Sequence, residues 1–515
     1  MKPDQKNIEL CYEESLRAYR ADQPEAALPL IEHVLRQDPR NGDALHLRGL
    51  IALALNDPAQ AETWLRQASG VAPHPIFYNS LCVAQTRMKA FERAAASARA
   101  GLAMHRDGSR EFTATLLYNL GIALQMDDRL EGAADAYRLA ASLDPSHSEA
   151  RNNLSACLNA LGDLSGAIEV LRESIALNPD NHAARSNLGH SLLAAGCFPE
   201  GWQHCEYRYA TIQPGDGTVG IKPPDLPIRR WLGQAPAAGE RLLVLDEQGF
   251  GDMLQFCRYL PMALTRFAAV GFVCPPPLRR LLTDSLCSRN ANLTLLEDIP
   301  ADLRQWDWYC PILSLPMAFD TRLDTIPATV PYLHANAHLA QKWAARMTAA
   351  QSGLLPRIGL VWAGGHAGTV TDRRRSLAID AMAPLLAWPH ACWISLQKAE
   401  TAEKQLSHAQ YPNVIDWTDK IHDFADTAAL IDTLDLVISV DTSVAHLAAA
   451  MGKRVWLLNR FAGCWRWLRD REESLWYPGM RIFTQRTRGN WTDVLERVLG
   501  ALESEFGTRA VPSKA

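Results

Sequence analysis

The chain has 515 residues, a formal net charge of -5, 48% hydrophobic and 21% charged residues. That length exceeds what one core organises, so about three domains are expected, and the acidic balance excludes a nucleic-acid binder that relies on neutralising phosphates. The eleven cysteines run from Cys11 to Cys464 without a C-x-x-C pair, a pattern of buried thiols in a reducing cytosol, not of disulfides or a zinc site. The start, Met1-Lys2-Pro3-Asp4-Gln5-Lys6, lacks the apolar stretch of a signal peptide. No apolar run reaches the roughly 18–20 residues of a membrane span. The expectation is a cytoplasmic protein with no membrane span, no nucleic-acid partner and no bound metal or cofactor.

Residues 8–210 repeat a template of about 34 residues. Gly49, Gly121 and Gly189 share a slot, and twelve residues after each stand Ala61, Ala133 and Gly201. Small residues there let two helices approach closely. Pro39, Pro73, Pro145 and Pro179 close four of the units, where a proline stops the second helix. A unit near 75–109 is degenerate. Apolar positions recur at helical spacing, as in Leu120, Leu124, Tyr137 and Ala140. This is the form of a tetratricopeptide array, whose concave surface takes a polypeptide.

Residues 211–240, with prolines at 223, 224, 227 and 236, read as an irregular linker. Short apolar runs alternating with amphipathic helices follow. Expected strands are Arg241–Leu245, Ala269–Cys274, Leu293–Leu296 and Trp308–Ile312, then Ile358–Trp362, Cys392–Leu396, Leu436–Val440, Val455–Leu458 and Ile482–Thr484. Runs without polar alternation are strands covered on both faces, hence parallel sheets in βαβ units. The two series, split near the helix around Leu339–Met347, predict two Rossmann-like domains, 241–340 and 341–490, with a closing helix and tail over 491–515.

Four stretches are candidates for chemistry. The first strand runs into Glu247-Gln248-Gly249-Phe250-Gly251-Asp252. A glycine turn at the carboxyl end of a parallel strand is where open α/β sheets bind ligands. It is not a G-x-G-x-x-G fingerprint, and Asp252 at the helix start equally suits the helix dipole. The second series begins with a strand ending at Trp362-Ala363-Gly364-Gly365-His366, followed by Asp372-Arg373-Arg374-Arg375-Ser376 and, after the next strand, Gln397-Lys398. Cations at such an edge either clamp a diphosphate or are a solvated face. Asp441-Thr442-Ser443 then leaves a buried strand and opens an alanine-rich helix with His446 in its first turn. That turn is a phosphate site or a helix cap. The stretch Trp465-Arg466-Trp467-Leu468-Arg469-Asp470-Arg471 suits either sugar stacking or packing.

These pieces together resemble bacterial tetratricopeptide-repeat glycosyltransferases whose catalytic half is similar to the ADP-heptosyltransferases, glycosyltransferase family 9. The resemblance covers nearly the whole chain. It implies a GT-B fold, a nucleotide-sugar in the C-terminal Rossmann-like domain, an acceptor on the N-terminal one, and an inverting, metal-independent displacement. It implies Asp252 as catalytic base, from the match of Gly251-Asp252 to the family's Gly-Asp pair, and Asp441-Thr442 at the donor diphosphate. Where the family carries glycine, this chain has Ser443. Arg375 and Lys398 are the candidates for the family's phosphate-binding lysine.

The expected architecture is an α-helical repeat solenoid over 1–210, followed by an α/β GT-B module. The expected activity is transfer of a sugar from a nucleotide-sugar to a protein acceptor, flagellin or another surface protein, recruited by the repeats. Asp252 is the expected base, with Glu247 as rival. Arg375, Ser376, Gln397, Lys398, Asp441, Thr442, Ser443 and His446 are expected at the nucleotide-sugar, and Gly249, Gly251 and Gly364 shape the loops. The alternatives are an enzyme acting on a lipopolysaccharide or small-molecule acceptor, and a scaffold with an inactive catalytic half.

Overall fold

The computed structural model describes residues 3–105, 108–211, 226–247, 249–351, 355–365, 370–398 and 411–507. Gln248, His366, residues 212–225 of the linker stretch and the tail from 508 lie outside the described residues. The chain forms two compact units, Met1–Ala184 and Arg185–Ala515.

The first unit is a run of antiparallel helix pairs: α1 (Pro3–Arg20) with α2 (Pro24–Gln37), α3 (Gly42–Ala54) with α4 (Pro58–Val71), α5 (Pro75–Arg87) with α6 (Phe91–Met104), α7 (Arg110–Met126) with α8 (Leu130–Leu143), and α9 (Ser148–Leu161) with α10 (Leu164–Leu177). The repeating glycine slot has a steric reason. A Cβ on Gly121 would lie 2.5 Å from the ring of the buried Tyr137, and one on Gly49 would lie 2.6 Å from Leu65 Cγ. The four closing prolines each stand two residues beyond the last residue of α2, α4, α8 and α10. The degenerate stretch still forms a pair, α5 and α6. Glu62 of α4 ties this pair to the preceding one, accepting from Gln85 Nε2 of α5 at 3.1 Å and pairing with Arg93 of α6 as well as with Arg66.

The second unit begins within α11 (His182–Ala194), continues through α12 (Phe198–Cys205) and a 3-10 turn over Glu206–Thr211, and then forms two parallel sheets. One contains β1 (Arg229–Arg230), β2 (Arg241–Leu245), β3 (Ala269–Val273), β4 (Leu293–Leu296) and β5 (Trp308–Pro311), in the order β1-β5-β2-β3-β4. Its helices include α13 (Phe250–Phe256), α14 (Tyr259–Ala263), α15 (Pro276–Ser285) and α16 (Leu315–Ala318), and α17 (Ala337–Ala350) follows. The other contains β6 (Arg357–Val361), β7 (Cys392–Ser395), β8 (Val414–Asp416), β9 (Leu436–Val440), β10 (Val455–Asn459) and β11 (Met480–Thr484), in the order β11-β10-β9-β6-β7-β8. With it come α18 (Val370–Arg375), α19 (Ala383–Leu386), α20 (Phe424–Asp432), α21 (Ser443–Ala450) and α22 (Trp491–Phe506).

Every apolar run read as a strand is a strand, with ends shifted by at most two residues. Two short edge strands escaped the reading. β8 is three residues long, and β1 lies within the stretch read as irregular linker. There Arg229 and Arg230 pair with Trp308 and Tyr309, and Trp231 is wholly buried against Phe267 and Phe319. Proline density hid an ordered edge, because prolines are tolerated beside an edge strand.

Strand order positions the loops. In the first sheet β2 is flanked by β5 and β3, and in the second β6 is flanked by β9 and β7. Successive connections leave those central strands in opposite directions, so a crevice opens beyond the carboxyl ends of β2/β5 and of β6/β9. The described parts of the motifs, 246–247, 249–252, 362–365 and 441–446, with the end of α18 at Arg375, lie at these two crevices.

Candidate active site

The turn after β2 contributes two carboxylates with different surroundings. Glu247 is 3% exposed and receives two hydrogen bonds from Arg208, from Nε at 2.6 Å and from Nη2 at 2.8 Å. Arg208 also donates to Glu206 Oε1 at 2.9 Å and to Ser314 Oγ, at the end of β5, at 2.9 Å. Burial opposes the Arg208 charge, but its bonds to Glu247 outweigh that and hold the guanidinium above its ordinary pKa. Glu247 therefore clamps the turn after α12 to the end of β2.

Asp252 sits in the first turn of α13. Its Oδ2 accepts from Gly249 N–H at 3.2 Å, half of a capping box. Its Oδ1 pairs with Arg466, whose Nε also donates to Gln255 Oε1. Burial lowers the Arg466 pKa, and Asp252 and Cys464 raise it by more, so the guanidinium stays charged. The glycine-spaced turn does two jobs. The space above Gly251 is filled by α21, since a Cβ there would lie 3.0 Å from His446 Cδ2 and 3.6 Å from Ser443 Cα. That room serves the contact of α13 with α21. Gly249 is open, with only Asp252 Oδ2 within 4 Å of its imagined Cβ.

At the second crevice, Thr442 opens α21 without capping it; its hydroxyl lies 3.0 Å from Ser439 Oγ. The phosphate-site reading and the capping reading therefore separate here, because no side chain of Thr442 occupies the first-turn amides. The stretch read as a loop is helix α18 up to Arg375, whose Nη1 donates to the Asp441 carbonyl at 3.0 Å and fixes the end of that helix to this turn. Ser376 Oγ accepts from Gly364 N–H at 3.0 Å, and Gln397 Oε1 accepts from Trp362 and Ala363 N–H at 3.2 and 2.9 Å. Both side chains hold the loop after β6. Lys398 turns elsewhere, donating from Nζ to the Ile421 carbonyl at 2.9 Å. His446 is buried, 2.9 Å from Tyr477 Oη through Nδ1 and 3.9 Å from Asp441 Oδ1 through Nε2. Burial, with Arg466, Arg258 and Arg375, drives its pKa well below the usual value. It is a neutral packing histidine.

The charge at this crevice exceeds what the sequence reading assigned. Arg460 follows directly on β10, and its pKa lies below the ordinary guanidinium range because of burial, with Arg374 and Arg375 acting in the same direction. Arg469 is depressed likewise, by burial first and then by Arg460. Arg374, Arg375, Arg460 and Arg469 thus act on one another as a cluster of cations, with Asp441 acting on Arg460 and Asp470 on Arg469 in the opposite direction. Arg460 was legible as an arginine at the carboxyl end of a buried strand. Its grouping with residues 374, 375 and 469 follows only from the sheet order. The tryptophans of the 465–472 stretch pack: Trp465 lies edge-on to Phe198 and Trp202 and stacks near Phe256, and Trp467 stacks on His446. Among the described residues no group of three His, Cys, Asp or Glu side chains converges as a metal site, and no helix is long and apolar enough to cross a membrane.

The repeat geometry and the crevice agree with known families. Residues 12–73 and 139–182 match the model of Tetratricopeptide repeat, and residues 393–458, which span β7 to β10 and include the 441–446 turn, match Glycosyltransferase family 9 (heptosyltransferase). The chain thus carries tetratricopeptide repeats and, in its second unit, a segment similar to glycosyltransferase family 9. A curated relative is "Protein FlbA" of Caulobacter vibrioides, 26% identical over an alignment of 329 residues that covers 60% of this chain. The chain spans about half, 53%, of that relative's length. Solved structures similar to the repeats include MamA from Desulfovibrio magneticus RS-1 (22% identical, 34% of this chain and 97% of that one, TM-score 0.31). Another is PilW, a type IV pilus biogenesis factor (17% identical, 40% of this chain and 93% of that one, TM-score 0.36).

Proposed function

We propose that this protein is an inverting, metal-independent glycosyltransferase of GT-B architecture that moves a sugar from a nucleotide-sugar to a protein held by its repeats. The observation that carries this reading is the open amino end of α21, which lies inside the segment matching glycosyltransferase family 9, with Arg375 and Arg460 from just outside that segment acting on one another beside it. In this reading residues 1–210 recruit the acceptor and 211–240 link them to the rest. Residues 241–340 are the acceptor-side domain, 341–490 hold the donor, and 491–515 close the chain. The reaction takes place in the cytoplasm.

The donor diphosphate lies across the amides of Ser443 and Val444, beside Thr442, with Arg375, Arg460 and Arg469 around it. Asp252 removes the acceptor hydroxyl proton, the oxygen forms a bond to the anomeric carbon, and the bond to the diphosphate breaks with its electron pair leaving on the nucleotide. Cations and helix amides already in place stabilise that charge without reorganisation. Ser376 and Gln397 act by holding the loop after β6. Lys398, which binds the Ile421 carbonyl, serves less well than the arginines as the phosphate cation.

A polypeptide acceptor suits the first unit. Asn119 and Asn153 recur 34 residues apart on α7 and α9, and both are partly exposed. An amide that both donates and accepts is complementary to a peptide backbone. Flagellin or another surface protein is the first candidate to assay. Intact-mass comparison of proteins from cells with and without this chain tests the reading. A protein heavier by one sugar only when the chain is present is the expected result. A mass change confined to lipopolysaccharide would move the acceptor to that class, and no change in either would refute transfer.

A further inference from the structure

Helix α11, the last helix of repeat type before the sheets, carries a histidine that the mechanism above leaves unused. Its inner face is locked. A Cβ on Gly189 would lie 2.6 Å from Cys205 N and 2.8 Å from Cys205 Sγ, and Leu188, Leu192 and Leu193 are buried. Cys205 in turn accepts at its carbonyl from Arg208 Nη1 at 3.0 Å, and Arg208 holds Glu247. On the other side, Phe198 and Trp202 of α12 pack on Trp465, the neighbour of Arg466, which pairs with Asp252. The face of α11 left exposed, Asn187 and His190, is one turn apart on the same side. It is joined by this packing to the carboxylate at the mouth of α13.

The state of His190 is defined. Its Nδ1 lies 3.0 Å from the Ser186 carbonyl oxygen, which only accepts, so Nδ1 is the protonated nitrogen. In the neutral ring Nε2 then carries the lone pair. The surrounding protein lowers the His190 pKa; the Ser186 hydrogen bond and Asp252 oppose this, whereas Arg466 and Arg208 reinforce it. The imidazole thus remains neutral at physiological pH. Arg466, Arg208 and Asp252 are the charged side chains that act on the His190 ring.

We infer that His190 is an acceptor-binding residue: its Nε2 accepts a hydrogen bond from an N–H or O–H of the polypeptide and so holds the acceptor at this end of the repeats. This rests on the glycosyltransferase reading. It makes the end of the repeat series part of the acceptor site, beyond its role in recruitment.

The test uses the full-length chain with a panel of UDP-, GDP-, CDP- and ADP-linked sugars and, as acceptor, the protein that gains mass in the intact-mass comparison. Release of nucleoside diphosphate with water alone is measured in parallel. His190→Ala raises the acceptor KM about tenfold, the effect of one lost hydrogen bond to a positioned group. It leaves kcat near the wild-type value and water-driven diphosphate release unchanged. His190→Gln, which keeps an accepting oxygen, recovers part of the loss. An acceptor KM within twofold of wild type for His190→Ala overturns the role of His190 alone. A wild-type chain that neither transfers nor hydrolyses any donor overturns the glycosyltransferase reading, and this inference with it.

Discussion

Replacing Glu247 by glutamine separates a structural carboxylate from a reacting one. The Glu247 side chain is 1% exposed and the Arg208 side chain 9% exposed, and they share two hydrogen bonds of 2.6 and 2.8 Å. Glutamine preserves shape and one accepting oxygen but removes the charge. Breaking a buried ion pair from one side costs about 3–5 kcal/mol, because the remaining charge stays desolvated. Here Arg208 keeps Glu206 at 2.9 Å, although that carboxylate also serves Arg230. The expected loss is therefore at the lower end, about 3 kcal/mol. Urea unfolding followed by tryptophan fluorescence is the appropriate assay, since 14 of the 15 tryptophans lie beyond Ala184, all but Trp64. The second unit's transition should move to lower urea, while transfer measured under folding conditions falls only as far as the loop loosens. An unchanged midpoint together with abolished transfer would refute the reasoning and move the base from Asp252 to Glu247.

Further outcomes follow from the same contacts. Asp252→Asn should lower transfer by roughly 10²–10⁴, the range of a lost general base, with nucleotide affinity retained in calorimetry. Arg460→Ala or Arg375→Ala should weaken nucleoside-diphosphate binding at least tenfold, and equal affinity in both variants would remove the anion from that crevice. Gly251→Val should reduce stability by about 1–3 kcal/mol through overpacking, because its Cβ would already stand 3.0 Å from His446. In the first unit, burial holds the His46 pKa down at about 4, from 6.5. The unfolded chain then binds a proton that the folded one refuses, so stability present above pH 6.5 is lost as pH falls from about 6.5 to about 4, by at most ~3 kcal/mol. Hydrogen exchange of α3 and α5 peptides should accelerate over that window, and His46→Gln should flatten the dependence.

Much of the fold was legible because its signals are local. Glycine and proline slots mark close helix contacts and helix stops. Unbroken apolar runs such as Leu436–Val440 mark strands covered on both faces. What stayed hidden depends on partners distant in sequence. Arg229-Arg230 is a strand only because Trp308 and Tyr309 stand beside it. Asp252 was found from its turn, but its pairing with Arg466, 214 residues away, was not. The cations of the second crevice come from three segments far apart in sequence, the end of α18, the residue after β10 and the stretch after Trp467, and sheet order alone gathers them. Gln397 and Ser376 looked like ligand contacts from their positions, yet their oxygens accept from loop amides. His190 carried no motif, and its environment arises from the packing of Gly189, Cys205 and Arg208.

The most direct test of the account is turnover of nucleotide-sugars by the purified full-length chain, followed as nucleoside-diphosphate release with and without the acceptor protein. The account predicts that one donor class is consumed, that acceptor accelerates its consumption, and that Asp252→Asn binds this donor but does not turn it over. A chain that binds no nucleotide-sugar, or an Asp252→Asn variant that transfers at the wild-type rate, would contradict it.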